Sequence, residues 1–167
     1  MPCISLPYDP ALGAIIYVLV SSPAVLRQLI VPAGTPPPPT PATLRSHPPV
    51  TLNGALIDTG ASITSITGAV ATQLNLPLIG KRQLGTAGGT VNANVYVADL
   101  AIPLGPLPQA PIGSQVFVSS LNAVTFESIV MMEFVCNSPH FSMLLGRDIL
   151  CQGIFSLGFD RRFTFSF

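Results

Sequence analysis

Apolar residues along the chain fall mostly into short runs with the period of a β-strand. Val91, Ala93, Val95 and Val97 alternate with their neighbours in strict order, which predicts a strand with one buried face. Continuous apolar runs that are rich in β-branched residues predict more deeply buried strands. In chain order, strands are predicted over residues 13–21, 50–57, 91–97, 115–119 and 128–135.

Two short segments carry helical signals instead. Gly68–Asn75 places Val70 and Leu74 on one face, and it follows Thr67, a residue suited to cap a helix. Asp148–Gln152 is followed by Gly153, as is common at the end of a helix. With mostly short strands around them, these helices predict an all-β domain.

The last residues predict a hairpin. Aromatic and apolar residues alternate on both sides of a turn at Asp160 and Arg161, at positions Phe155, Leu157 and Phe159 and again at Phe163, Phe165 and Phe167. An apolar strand left at the edge of a sheet would promote aggregation. We therefore expect the Phe163–Phe167 edge to pair with its twin in a second copy.

Proline marks one long excursion between the first two predicted strands. Residues 22–49 include the run Pro36–Pro39, which lacks the N–H donors that a helix or sheet needs. We interpret this segment as an extended loop inserted into one domain that covers residues 1–167.

Charge and hydropathy narrow the classes of function. Only 8% of the residues are charged, and seven basic residues balance seven acidic ones, so no basic face for nucleic acid is expected. Such low charge implies apolar surface that a partner covers, with a second copy as one candidate. The mean hydropathy of +0.59 is high enough that a membrane protein is an alternative. However, the longest apolar run, Ala11–Val20, is about half the length of a spanning helix, and we expect no membrane association.

The three cysteines do not form a regular framework. An odd count without regular spacing favours a reducing, cytoplasmic location over a disulfide-bonded protein. Neither His47 nor His140 has a partner at metal-ligand spacing, so we expect neither a metal nor another cofactor.

The strongest chemical signal is Leu56-Ile57-Asp58-Thr59-Gly60-Ala61-Ser62. Two apolar residues lead a strand into a tight turn, which can present the Asp58 carboxylate to a cleft. Far downstream, the segment Leu144-Leu145-Gly146-Arg147-Asp148 repeats the apolar pair before a glycine. Between them lies a glycine-rich hairpin tip, Gly85-Thr86-Ala87-Gly88-Gly89. Asp-Thr-Gly alone is a weak motif, because ordinary turns use the same residues.

Taken in order, these segments resemble the retropepsin-like aspartic proteases over roughly Leu52–Phe167. The proline-rich insertion and the C-terminal hairpin make the chain more similar to freestanding cellular or bacterial members than to viral ones. The resemblance implies a closed β-fold with a flap hairpin and a homodimer that hydrolyses a peptide or protein substrate. The chain has a single Asp-Thr-Gly, so a second chain must supply the second carboxylate.

The resemblance also implies roles for individual residues. Asp58 is the acid/base residue, Thr59 forms a hydrogen bond across the two-fold axis, and Gly60 permits close approach of the backbone and the substrate. Substrate contacts are expected from Ala61, Ser62 and the flap residues Gly85, Thr86, Ala87, Gly88 and Gly89. Gly146, Arg147 and Asp148 are expected to support the structure. In retroviral relatives the Arg pairs with an acid that is replaced here by Ser62, so Arg147 is left to bond backbone carbonyls.

Two alternatives remain open from the sequence. One is a dimeric peptide-binding or scaffold module that keeps the fold without hydrolysing its ligand. The other is a monomer that awaits a different partner. Turnover of a peptide-library substrate, with and without a pepstatin-type inhibitor, separates the protease from the scaffold.

Overall fold

Strands account for most of the fold in the computed structural model, which describes residues 2–23, 25–26, 50–86, 88–105, 110–116 and 122–167. In chain order the elements are β1 Cys3–Pro7, β2 Ile15–Ser21, β3 Val50–Ile57, β4 Ser65–Thr67, α1 Gly68–Gln73, β5 Leu78–Thr86, β6 Gly89–Pro103, β7 Gln115–Val116, β8 Ala123–Phe134, β9 Met143–Leu145, α2 Arg147–Leu150, β10 Ile154–Leu157 and β11 Arg162–Ser166. The predicted all-β fold with two short helices is confirmed.

The larger sheet closes on itself. Its strands follow the order β2-β3-β9-β4-β8-β6-β5, β7 adds to β3, and β2 also pairs with β6, which closes the barrel. Ile16, Val18 and Val20 of β2 point into the main core, whereas Leu19 packs in a second apolar cluster on the other side. Burial on both faces explains the continuous apolar run Val18–Val20, whereas Tyr17 is 42% exposed.

The placement of one short strand, β9, determines the position of the candidate site. Strand β9 lies between β3 and β4, parallel to β3 and antiparallel to β4. The strand that enters Asp58 and the strand that follows its turn are therefore bridged by the segment that ends at Gly146. Close packing makes this possible, because a β-carbon on Gly54 would collide with the carbonyl oxygen of His140.

A separate three-stranded sheet has the order β1-β11-β10. The expectation that the Phe163–Phe167 strand forms an edge and pairs with its twin is wrong, because β1 covers one side of β11 and β10 the other. Phe163 and Phe165 are completely buried in the main core. Phe159 does not extend β10 either, because Gly158 donates its N–H to Arg162 O at 2.7 Å and the chain turns there.

The remaining differences concern element bounds. Helix α1 ends two residues earlier than predicted, Thr67 makes no side-chain capping bond, and α2 begins at Arg147 rather than at Asp148. Strand β8 begins at Ala123, five residues before the predicted start, and β1, β4 and β9 were not predicted. The predicted proline-rich loop and the end of the 115–119 strand lie largely outside the described residues.

Membrane spans, metal-ligand groups and the cysteines were also inspected in the described part of the chain. No helix in the described part of the chain is long and apolar enough to cross a membrane. Within those same residues, no group of three or more His, Cys, Asp or Glu side chains is placed to hold a metal ion. Cys3, Cys136 and Cys151 are free thiols, and the first and last are exposed.

Candidate active site

The turn after β3 holds the Asp58 carboxylate in a fixed orientation. The N–H of Asp58 donates to Leu145 O at 3.1 Å, which continues the pairing of β3 with β9. Its Oδ1 accepts the N–H groups of Gly60 at 2.9 Å and Ala61 at 3.1 Å. Asp58 is half-buried, and its other carboxylate oxygen has no partner among the described residues. One oxygen is thus fixed by the turn while the other is left available for water or a second acid.

The residues after Asp58 are open to solvent. Thr59, Gly60 and Ser62 are exposed, and Ala61 is half-buried. A β-carbon at Gly60 would lie 3.1 Å from Asp58 Oδ1, which is a tight contact. Glycine at this position therefore leaves the carboxylate oxygen room for its two amide donors.

A second set of hydrogen bonds connects the turn with α2 and with the glycine before it. The N–H of Arg147 donates to Ala61 O at 2.9 Å. Asp148 accepts the N–H of Thr64 at 3.0 Å and the Thr64 hydroxyl at 2.8 Å. The same hydroxyl accepts the N–H of Gly146 at 3.1 Å, so α2 and the Asp58 turn form one connected unit.

Gly146 and Arg147 contribute to this unit through their backbones. A β-carbon at Gly146 would lie 2.6 Å from Ile63 C and 2.7 Å from Thr64 N, so only glycine fits. Arg147 is exposed, and its guanidinium has no partner in the part of the chain that the structure describes. The expected bond to a backbone carbonyl is made by its N–H group rather than by its side chain.

The glycine-rich hairpin differs from the turn in its surroundings. Strands β5 and β6 pair closely to their tip, where Gly85 lies opposite Thr90 and Thr86 opposite Gly89. A β-carbon on Gly85 or Gly89 would meet nothing within 4 Å, and Gly88 is exposed. Ala87, a predicted substrate contact, lies outside the described residues.

The base of this hairpin is held by a polar group on the barrel wall. Glu133 Oε2 accepts hydrogen bonds from Tyr96 Oη and Asn94 Nδ2, each at 2.7 Å. Burial raises the pKa of Tyr96 above its ordinary value of 10.0, and the hydrogen bond and charge of Glu133 raise it further. Tyr96 therefore remains a neutral donor to the carboxylate.

A cleft of about 490 Å³ lies beside the end of the Asp58 turn. Ile63 of the turn, Arg82 of β5 and Phe126 of β8 contribute to its wall, together with residues of α2. Asp58 is not among its lining residues. Sequence reasoning identified neither this cleft nor the role of Thr64, because both depend on residues that are far apart in the chain.

A sequence model of the aspartyl protease family matches residues 40–149. The chain belongs to this retropepsin-like family. The match includes both the Asp58 turn and the Gly146-Arg147-Asp148 support described above. A search of curated proteins finds no match.

Membership of the aspartyl protease family supports aspartic protease activity in general. Retropepsin-like members typically act as dimers on peptide substrates. In this protease the structure brings together Asp58, Gly60, Ala61, Gly146, Arg147 and Asp148, which the sequence predicted as parts of one site.

Proposed function

We propose that this protein is an aspartic endopeptidase that is active as a homodimer, with one Asp58 from each copy. The observation that carries the proposal is the Asp58 carboxylate, which has one oxygen fixed by two amide N–H groups and the other unpartnered within the described chain. This arrangement suits a group that must bind a water molecule in a constant direction.

The other acids support the need for a second chain, because they are engaged away from Asp58. Asp148 binds Thr64, Glu133 binds Tyr96, and the buried Asp99 accepts the N–H of Ser128 at 2.8 Å. Asp9 and Asp160 accept backbone N–H groups in their own turns, and Glu127 lines the cleft beside α2. A second carboxylate next to Asp58 therefore has to come from another copy.

Two adjacent Asp58 side chains would divide the chemistry of hydrolysis between them. Two carboxylates at short distance do not both ionise, so one keeps a proton and the other is the base. The ionised Asp58 removes a proton from the attacking water, and the protonated one donates to the carbonyl oxygen or the leaving nitrogen. Thr59, exposed beside the carboxylate, is available to bond across the two-fold axis.

The β5–β6 hairpin is proposed to act as a flap over an extended substrate. A β-carbon added at Gly85 or Gly89 would meet no atom within 4 Å, so the space around the tip leaves room for a substrate. An extended peptide can add its backbone hydrogen bonds to such a hairpin. We propose a substrate with apolar residues on both sides of the cleaved bond.

The location of the protease remains a prediction. Exposed free thiols at Cys3 and Cys151 are compatible with the reducing, cytoplasmic compartment predicted from the sequence.

Replacing Asp58 with Asn tests the proposal directly. The amide keeps an oxygen for the N–H groups of Gly60 and Ala61 but cannot act as a base. We expect cleavage of a peptide-library substrate to fall at least about 1000-fold while fold and dimer persist. Asp9→Asn, in an exposed turn, is the matched control and should keep full activity.

Full activity in Asp58→Asn would overturn the proposed mechanism. If the unaltered protein binds peptides saturably but does not cleave them, and a pepstatin-type inhibitor has no effect, the scaffold alternative is correct.

A further inference from the structure

A groove between β1 and the outer face of β2, here called the outer groove, is lined by aromatic and apolar side chains. It consists of two clefts of about 310 and 390 Å³, and Leu6 and Tyr17 line both of them. The smaller cleft also has Tyr8 and Leu12 in its wall. Because Tyr17 is 42% exposed and Leu12 is 39% exposed, large apolar surfaces are in contact with water here. Asp58 lines neither cleft, so the outer groove is separate from the candidate active site.

The polar side chains of the smaller cleft can donate hydrogen bonds. Tyr8, Tyr17 and His140 line this cleft, and within the described part of the chain none of these three side chains makes a hydrogen bond. Its one carboxylate belongs to Asp9, whose Oδ1 already accepts the N–H of Ala11 at 2.8 Å. The outer groove therefore suits an apolar ligand that offers hydrogen-bond acceptors.

A proline-rich peptide is a ligand of this kind. Proline has a carbonyl acceptor and no N–H donor, and its ring is apolar. In their extended left-handed conformation, such peptides bind grooves that are lined by aromatic side chains. This chain itself contains the run Pro36–Pro39, within residues 28–44, a stretch that has no charged residue.

Both ends of the chain segment that contains this run enter the described structure near the outer groove. Leu26 and Val50 are buried in the second apolar cluster, which also contains Leu19. Tyr17 lies two residues before Leu19 on the same face of β2, since side chains alternate along a strand. The outer groove thus continues the face of β2 that the second cluster covers.

Residues 27–49, which lie outside the described structure, form a segment long enough to reach the outer groove. Ten positions lead from Leu26 to the start of Pro36–Pro39, and eleven lead from its end to Val50. At about 3.1 Å per residue, these connections span up to about 31 and 34 Å. Tyr17 is four positions from Ser21, the last residue of β2, which corresponds to about 13 Å along a strand.

We propose that the Pro36–Pro39 run of this chain binds in the outer groove, against the rings of Tyr8 and Tyr17. A segment joined to the groove at both ends has an effective concentration on the order of millimolar, so it outcompetes free peptides of the same weak affinity. Binding would cover the exposed surfaces of Tyr17 and Leu12. It would also keep the proline-rich insertion away from the Asp58 turn, and it does not depend on protease activity.

Binding of a labelled peptide with the sequence of residues 31–42 tests the occupant. In one variant of the full chain, each proline of the Pro36–Pro39 run is replaced by serine, so that the run no longer competes. By fluorescence anisotropy, this serine variant should bind the peptide with a Kd at least about 10-fold lower than that of the unaltered protein. Adding Tyr17→Ala to the serine variant should abolish binding, whereas Tyr17→Phe should preserve it because the ring remains.

Proteolysis gives a second readout that needs no added ligand. Trypsin cleaves after Arg27 and Arg45, on either side of the uncharged stretch. In the full chain, Tyr17→Ala and Leu12→Asp should each speed this cleavage at least about fivefold, because they release the run from the outer groove. Leu78→Ala is the matched control, since Leu78 is a strand residue that is 57% exposed on β5, and it should leave the rate unchanged. Urea unfolding shows whether each variant is folded.

The possible results separate this occupant from others. Tight binding by the serine variant alone, together with faster proteolysis of Tyr17→Ala, supports the proposal. If the unaltered protein binds the peptide as tightly as the serine variant, the outer groove is open to proline-rich segments of other molecules and the proposed occupant is wrong. If neither protein binds the peptide, or if folded Tyr17→Ala and Leu12→Asp proteins are cleaved at the unaltered rate, the proposal is overturned.

Discussion

The Asp58 turn with its Gly146 support and the tip of the β5–β6 hairpin both depend on glycine, yet the space around their glycines differs. A β-carbon at Gly60 in the turn would lie 3.1 Å from Asp58 Oδ1, and one at Gly146 in the supporting segment would lie within 3 Å of backbone. At the hairpin tip, a β-carbon on Gly85 or Gly89 would meet nothing within 4 Å. Glycine in the first region satisfies close packing, and in the second it leaves the backbone unrestricted.

In the proposed protease, this difference separates a fixed turn from the hairpin that is proposed to move as a flap. Hydrogen bonds from β9 and α2 hold the turn on two sides, so the carboxylate keeps its direction. The hairpin is joined to the barrel at its base, where β6 pairs with β8 and where Tyr96 and Asn94 bind Glu133. Catalysis by the proposed protease requires both properties, a fixed acid and a lid that opens.

The largest effect on stability is expected from Gly146→Ala. Its new methyl group would collide with the backbone of Ile63 and Thr64, and we expect a loss of about 3 kcal/mol in the free energy of unfolding. Gly85→Ala is the matched control and should change this free energy by less than about 1 kcal/mol. Urea unfolding at one fixed protein concentration measures the free energy of unfolding of both variants. If Gly146→Ala and Gly85→Ala lose the same amount, glycine is not more constrained at Gly146 than at the hairpin tip.

Asp148→Asn tests whether α2 holds the turn through Thr64. The amide group can replace only one of the two carboxylate oxygens that Thr64 binds, and the charge is lost. We expect a loss of about 1–2 kcal/mol in the free energy of unfolding and a smaller loss of cleavage than in Asp58→Asn. Asp160→Asn, at an exposed turn, is the control and should change neither the free energy of unfolding nor cleavage. If it lowers the free energy of unfolding as much as Asp148→Asn does, the effect of Asp148→Asn is not due to its contact with Thr64.

Tyr96→Phe tests the attachment at the base of the hairpin. Loss of a hydrogen bond to a carboxylate should cost about 1–2 kcal/mol near pH 8. Because the pKa of Tyr96 is raised in the folded protein, its contribution is complete below about pH 10 and is lost as the pH rises through the folded-state pKa. The stability difference between the two proteins should therefore shrink above pH 10. Unfolding curves from pH 8 to 11 measure it, and a constant difference would refute the assignment.

Local patterns predicted the elements that are regular over several residues. The alternation of Val91–Val97 predicted part of β6, and apolar runs predicted β2 and β3. The start of β8 was missed because its pattern is broken at Ser128, which has a positive φ of 52° and donates its N–H to Asp99. Strands β1, β4 and β9 are short and have no adjacent hairpin turn that marks them, unlike β10 and β11, and each is stabilised by pairing with a distant segment.

The part of the candidate site that lies within one turn could be predicted from the sequence, and the contacts between distant residues could not. Asp58, Gly60 and Ala61 lie in one turn, and the residue types that form such turns are visible in the sequence. The Thr64–Asp148 contact joins residues 84 positions apart, and no local pattern indicates it. The same holds for β10, because the sequence showed two alternating strands but not which one would become the edge of the sheet.

The central claim is that hydrolysis needs an Asp58 from each of two copies, and a mixing experiment measures this most directly. A fixed amount of unaltered protein is combined with increasing Asp58→Asn protein, at concentrations where both are dimeric and after the subunits have exchanged. At a ninefold excess of the variant, cleavage should fall to about one tenth, because most active chains are then paired with an inactive partner. Cleavage that stays constant as the variant is added would show that each chain acts alone and would contradict the account.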